Sequence, residues 1–291
     1  MPKKPSPETL GQNSNSEALG LTRETVDPAQ ITRRRIALDT LARYANSEVE
    51  AFQHFILLTN FPQYTDVFAN YAKAEPILGP VLKVVHSPEH DISIIDYRVG
   101  SPMAALLMDV LSHLHPQGII MLGLCGGIHR RQRVGDFLIP IAAIRDEGTS
   151  RHYMPLQVPS LPSFMIQKYI AEELIERNLT FMTGVVHSTD YRMWEFDEKF
   201  KARLVEEKAT AVDMECSALF TTGFARKVPV GALLLVSDLP MNPEGIKTKA
   251  SAAEVFERYT KLHLESAIAV IKRINAADKN SRRLNLRRFS F

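Results

Sequence analysis

Apolar residues fall in short blocks along this chain, and turn-forming residues close each block. In residues 31–44, Ile36, Leu38, Leu41 and Tyr44 recur at mostly helical spacing beside Arg33, Arg34 and Arg35. This predicts an amphipathic helix with the arginines on its solvated face. FILLT at residues 55–59 predicts a buried strand, and Pro62 suits the first residue of the following helix. Residues 80–86 and 92–97 predict a strand pair around the turn Ser87-Pro88-Glu89-His90-Asp91. Residues 98–102 then lead into a helix over 103–114. GIIML at 118–122 predicts another buried strand, opening into Gly123-Leu124-Cys125-Gly126-Gly127. A basic turn, His129 to Arg133, precedes a further strand entered through Gly135-Asp136. Residues 160–177 hold a long amphipathic helix starting near Pro162, and residues 181–187 a strand. A closing helix over about 252–274 turns Val255, Tyr259, Leu262, Ala269 and Ile271 inward.

Chemistry concentrates in residues 211–238. A short strand runs into Asp213-Met214-Glu215, a helix follows from Cys216 to Arg226, and an apolar run from Val230 ends at Ser237-Asp238. Read as a βαβ unit, its strands are parallel neighbours that carry Glu215 and Asp238 into one crevice at their carboxyl ends, where open α/β sheets gather ligands. Two carboxylates in one cleft can be given different work by their surroundings. Plainer roles fit the same residues: Glu215 as a helix-start carboxylate, Asp238 as a turn residue before Pro240.

Other positions carry the same double reading. Gly100 and Ser101 offer backbone N–H groups to an anion at a helix start, or Ser101 simply caps that helix. Gly126 and Gly127, after a buried strand, admit close approach of a ligand or only a tight bulge. Arg192 and Trp194, the only tryptophan, can sandwich a flat ring, or the indole packs on the next helix. The segment 239–249, with its prolines and glycine, is long enough to act as a lid.

Composition narrows the classes. The 291 residues, 45% hydrophobic, fit one large α/β domain or two small ones with a sizeable core. A formal net charge of +2 sets up no global field that calls for nucleic acid. Two cysteines, Cys125 and Cys216, make no disulfide framework, which predicts a cytoplasmic protein. No apolar run reaches the roughly 18 residues that span a bilayer, so no membrane partner is expected. The polar start, residues 1–25, is expected to be a disordered tail, with one catalytic domain over 26–291.

The glycine run GLCGG with Gly135-Asp136, then Val212-Asp213-Met214-Glu215, then Val236-Ser237-Asp238, resembles the nucleoside phosphorylase and nucleosidase superfamily. The segments GGIHRRQRVGDFLIPIAAIRDEGTS, STDYRMWE and LLLVSDLPMNPEGIK are similar to its AMP nucleosidase branch, in a short form. Arg98 and Met103 depart from the family, which usually carries glycine and asparagine there. The resemblance implies a three-layer αβα sandwich with a mixed, partly closed central sheet. It implies hydrolysis of AMP to adenine and ribose 5-phosphate without metal or cofactor. It also implies a homo-oligomer, a hexamer being one candidate size, whose small-molecule partner is a purine nucleotide.

The resemblance assigns roles residue by residue. Asp238, with Ser237 before it, matches the acid that protonates purine N7, and should be held protonated by burial or a nearby acid. Glu215 matches the residue that holds the ribose hydroxyls, with Met214 packed under the sugar. Cys125, Gly126 and Gly127 line the place of the water or phosphate. Arg192 and Trp194 fall to the purine, and Lys247 or Arg130 to the 5′-phosphate. Three rivals share this pattern: a purine nucleoside phosphorylase, a nucleosidase for another purine nucleotide or nucleoside, and a non-catalytic nucleotide sensor.

Overall fold

The computed structural model describes residues 28–279; the expected tail at 1–25 and the basic stretch near the end lie outside the described residues. Strand β1 (Phe55–Thr59) lies between β4 (Ile92–Asp96) and β5 (Gly118–Gly127), parallel to both. Outside β4, β3 (Lys83–Ser87) and β2 (Ile77–Leu78) add antiparallel. On the far side of β5 the sheet curls through β8 (Ala211–Asp213), β7 (Phe181–Thr189), β6 (Phe137–Asp146) and β9 (Val230–Asp238). There β9 pairs back onto β5 in parallel and closes a ring. One half of the mixed sheet is therefore open and the other half closed.

Strict alternation sorts the core into two layers, because successive strand side chains point to opposite faces. Ile119 and Met121 of β5, with Ala232, Leu234 and Val236 of β9, pack toward α1 (Pro28–Ala45), α3 (Ser101–Leu111) and α6 (Cys216–Arg226). Ile120 and Leu122, with Leu233 and Leu235, pack toward α2 (Pro62–Ala72), α4 (Phe164–Glu176) and α7 (Lys249–Lys279). The result is the expected three-layer αβα sandwich. A smaller cluster joins α5 (Glu198–Glu206) to Trp194 through Phe200 and Leu204.

Four sequence expectations are corrected here. The βαβ reading of 211–238 fails: β8 and β9 are not neighbours, since β5 lies between them. They do not run parallel either, as β5 pairs antiparallel with β8 and parallel with β9. The glycines do not end β5; the strand runs through to Gly127. In α1 the buried face is Ala37, Leu41 and Ala45, whereas Ile36 is exposed. Arg33 is also more than a solvated charge. It pairs with Asp109 of α3 at 3.0 Å, and Arg226 of α6 holds the same carboxylate at 2.6 Å.

A polar bond ties the outer layer to the sheet. His263, on the inner face of α7, is fully buried. Its Nε2–H donates to the carbonyl of Leu233 at 2.8 Å, and its Nδ1 accepts from the Tyr64 hydroxyl at 2.8 Å. A carbonyl only accepts, which settles the tautomer. Burial lowers the His263 pKa from 6.5 to about 4, so the native imidazole is neutral.

Replacing His263 by Phe strands a carbonyl and a hydroxyl in the interior and should cost about 2–4 kcal/mol in a denaturant titration. The pH dependence has a definite sign. The unfolded imidazole protonates below pH 6.5 and the folded one only near 4, so this contribution is complete above 6.5 and is lost as pH falls to about 4. The loss is on the order of 3 kcal/mol. His263→Phe should flatten that part of the stability profile.

Candidate active site

The carboxyl edge of the ring gathers the acids around one strand residue. Gly126 of β5 pairs with Val212 of β8 on one side and with Asp238 of β9 on the other. The β9 register jumps here: Cys125 faces Val236 and Gly126 faces Asp238, leaving Ser237 as the extra residue of a bulge. A bulge breaks the alternation of a strand and re-aims the following side chain. Asp238, otherwise destined for the layer that holds Val236, lines a cavity of about 250 Å³ instead. Glu215 lines the same cavity, so the two acids do meet, across β5 and not along a βαβ unit.

Each acid has distinct company. The Ser237 hydroxyl donates to Asp238 Oδ1 at 2.5 Å, and the Lys247 ammonium lies 3.4 Å from the same oxygen. Glu215 precedes α6 but its side chain does not cap that helix. Its Oε1 accepts the Gly100 N–H at 2.7 Å, across the sheet at the start of α3. Asp213 does the capping, with Oδ2 accepting the N–H groups of Glu215 and Cys216 at 3.1 and 2.6 Å and Oδ1 accepting the Ser188 hydroxyl at 2.5 Å. Glu215 is 3% exposed. Burial, and then the Asp213 carboxylate, push its pKa well above the ordinary glutamate range. The Cys125 thiol, buried and close to Asp238, is likewise pushed up and stays neutral.

The remaining expected residues divide. Met214, Cys125, Gly126, Arg192, Trp194 and Lys247 line the cavity. Trp194 is 5% exposed, packs on Phe200 of α5 with ring centroids 5.7 Å apart, and also lines the cavity. Arg192 is half exposed and pairs with the buried Glu195. Gly100 and Ser101 are not open to an outside anion. The Gly100 N–H is taken by Glu215 and the Ser101 hydroxyl donates to the Met214 carbonyl at 2.6 Å, so the anion at this helix start is the protein's own. Gly100, not Ser101, is the N-cap, at φ 105° and ψ 146°, a conformation nearly closed to other residues. Arg130 is exposed on the turn after β5 and does not reach the cavity wall. Gly127 lies against Gln132, Val236 and Leu239, away from the cavity.

Sequence reading passed over Asn60, Val99, Leu124 and Glu195, which also line the cavity. Asn60 had a signal: it directly follows the buried run FILLT, the same strand-end position that singled out Asp238. Arg98 adopts the left-handed region, φ 69°, where the resemblance expects glycine. Its N–H and guanidinium both serve the fully buried Asp96, at 3.0 and 3.2 Å, which offsets the roughly 1–2 kcal/mol of that conformation.

Comparisons with known proteins agree with this architecture. The Phosphorylase superfamily model matches residues 56–274. The AMP nucleosidase of Escherichia coli K12 is 28% identical over 300 aligned positions, covering 87% of this chain, and this chain spans 62% of that protein's length. The uridine phosphorylase of Treponema pallidum is 29% identical over 201 positions, covering 63% of this chain and 76% of that protein. The crystal structure of AMP nucleosidase from Bacteroides thetaiotaomicron superposes with a TM-score of 0.75 at 36% identity, covering 85% of this chain and 99% of that one. The ring of strands, the acids at its edge and a family match spanning most of the sheet lead to one conclusion: this chain belongs to the phosphorylase superfamily.

Proposed function

We propose that this protein hydrolyses the N-glycosidic bond of AMP, releasing adenine and ribose 5-phosphate. The observation that carries this reading is the distribution of charge in the cavity. Asp238 and Glu215 share it, its cations are Arg192 and Lys247, and the wall of Val99, Leu124 and Cys125 offers none. A phosphorylase must seat a free phosphate beside C1′ and needs a cation there. An apolar wall with a neutral thiol suits a water. The similarity to proteins named AMP nucleosidase supports the same choice.

In this reading the Asp238 carboxyl gives its proton to purine N7 as the C1′–N9 electron pair moves into the ring. Positive charge grows on the ribose, and the Glu215 carboxylate opposes it at short range in a buried site. Water then adds to C1′, and the proton it loses returns through solvent to the Asp238 carboxylate, which restores the acid for the next turnover. The 5′-phosphate, carrying close to two negative charges, takes Lys247. The Lys247 ammonium lies 3.4 Å from Asp238 Oδ1, so the phosphate competes with the acid for it. Trp194 and Arg192 flank the base. Copies of the chain assemble over the exposed Tyr191, Met193 and Phe196 beside Arg192.

Asp238→Asn should lower kcat by about 10²–10⁴ while the dissociation constant for AMP, measured by calorimetry, changes only a few-fold. A variant within tenfold of the parent would remove Asp238 from this role.

Glu215→Gln should lower kcat strongly with the fold intact. In the parent, Glu215 must be ionised to oppose the ribose charge, and its pKa is raised. The acidic limb of kcat/KM, which reports the free enzyme, should therefore lie above the ordinary glutamate range and activity should fall as pH drops through it. The Gln variant should lose that limb.

AMP should be a far better substrate than adenosine, because only a substrate with a phosphate can draw the Lys247 ammonium away from Asp238. Chromatography of the sugar product should give ribose 5-phosphate even in phosphate buffer. Ribose 1-phosphate, or equal rates on adenosine and AMP, would overturn the assignment and leave the fold standing.

A further inference from the structure

Four carboxylates line the cavity, and three of them already have work. Asp238 and Glu215 act on the bond, and Asp213 anchors α6. The fourth, Glu195, stands in the short 3-10 turn Trp194–Phe196 that follows β7. It is 4% exposed, close to the 3% of Glu215. The Arg192 guanidinium donates to its Oε1. Its Oε2 accepts no hydrogen bond among the described residues and is not sealed in the interior, so this oxygen is the part of Glu195 that meets the cavity. A nearly buried carboxylate with an open oxygen is costly unless a donor comes to it.

The chemistry of the base narrows what that donor can be. Glu195 shares its turn with Trp194 and Arg192, the residues that flank the base in the reading above. Paired with a guanidinium, a carboxylate only accepts hydrogen bonds. On an adenine joined to its sugar, N1, N3 and N7 only accept as well, and the 6-amino group alone donates. A 6-oxo purine puts an acceptor in the same place.

We propose that Glu195 determines the choice of base. Its Oε2 accepts a hydrogen bond from the 6-amino group and repels a 6-oxo group, so the site selects 6-amino over 6-oxo purine nucleotides. Arg192 holds the carboxylate in place by its other oxygen. The inference rests on the purine nucleotide reading of the cavity, but not on water being the nucleophile.

The test is calorimetric binding of AMP, IMP and purine riboside 5′-monophosphate, which lacks a 6-substituent. The protein is the Asp238→Asn variant, which suppresses turnover, with Glu195 intact, Glu195→Gln or Glu195→Ala. With Glu195 intact, AMP should bind about ten- to a hundredfold more tightly than IMP, and the unsubstituted purine should fall between them. Glu195→Gln keeps the size and offers an N–H to a 6-oxo group, so IMP should gain and the gap should close to a few-fold. Glu195→Ala should bring AMP down to the level of the unsubstituted purine. A Glu195 that only holds Arg192, or that reads a sugar hydroxyl, would weaken all three ligands by one factor, which overturns the proposal. IMP binding as tightly as AMP with Glu195 intact, a preference for AMP that survives both variants, or no binding at all overturns it too. The expected selectivity in binding, with no adenine released from AMP by the wild-type protein, would overturn the hydrolase reading alone and leave Glu195 its role.

Discussion

Two hydrogen-bond ladders meet at Gly126, and the site depends on that meeting. β5 pairs there with β8 on one side and with β9 on the other, and β9 is bonded onward to β6. The closed half of the sheet exists because β5 is saturated on both edges at its carboxyl end. A side chain at this position would crowd Pro240, whose Cγ would lie 3.0 Å from its Cβ. Closure brings the ends of β8 and β9 to one rim, and the bulge at Ser237 turns Asp238 into the hollow. The distance between the acids is a property of the ring and not of the 23 residues of sequence that separate Glu215 from Asp238.

Gathering acids at one buried rim has an electrostatic cost, and the donors are allotted unevenly. Asp213 receives two backbone N–H groups and a hydroxyl, and so serves as a fixed anchor for α6. Asp96 receives the backbone and guanidinium of Arg98. Glu215 receives one backbone N–H, and burial, then the Asp213 carboxylate, push its pKa upward despite that donor. Asp213 is the most fully dressed of these acids although it also lines the cavity, whereas Asp96 keeps one buried oxygen without a hydrogen bond.

Much of the frame was legible in the chain. FILLT, GIIML and the run ending at Asp238 are strands because each is a short apolar block closed by turn formers, and Pro62 opens α2 as its fixed φ predicts. Asp238 and Glu215 stood out because both follow such blocks. Asn60 follows one too, at the same kind of strand end, but an uncharged amide does not point to acid–base chemistry as a carboxyl does. In α1 the buried Leu41 agrees with the spacing, but Ile36 misled, because the neighbouring elements cover Ala37 and Ala45 and leave Ile36 exposed.

Local periodicity is set by neighbours two or about four residues apart, so the sequence by itself determined most of the elements and the acids at the strand ends. Partners farther apart are chosen by closure of the whole sheet. Only the tertiary structure decided that β5 would part β8 from β9, that Glu215 would take the Gly100 N–H, and that Trp194 would pack on Phe200. It also left Arg130 in solvent and put Lys247 on Asp238, since the reach of a long charged side chain depends on where its strand edge comes to lie.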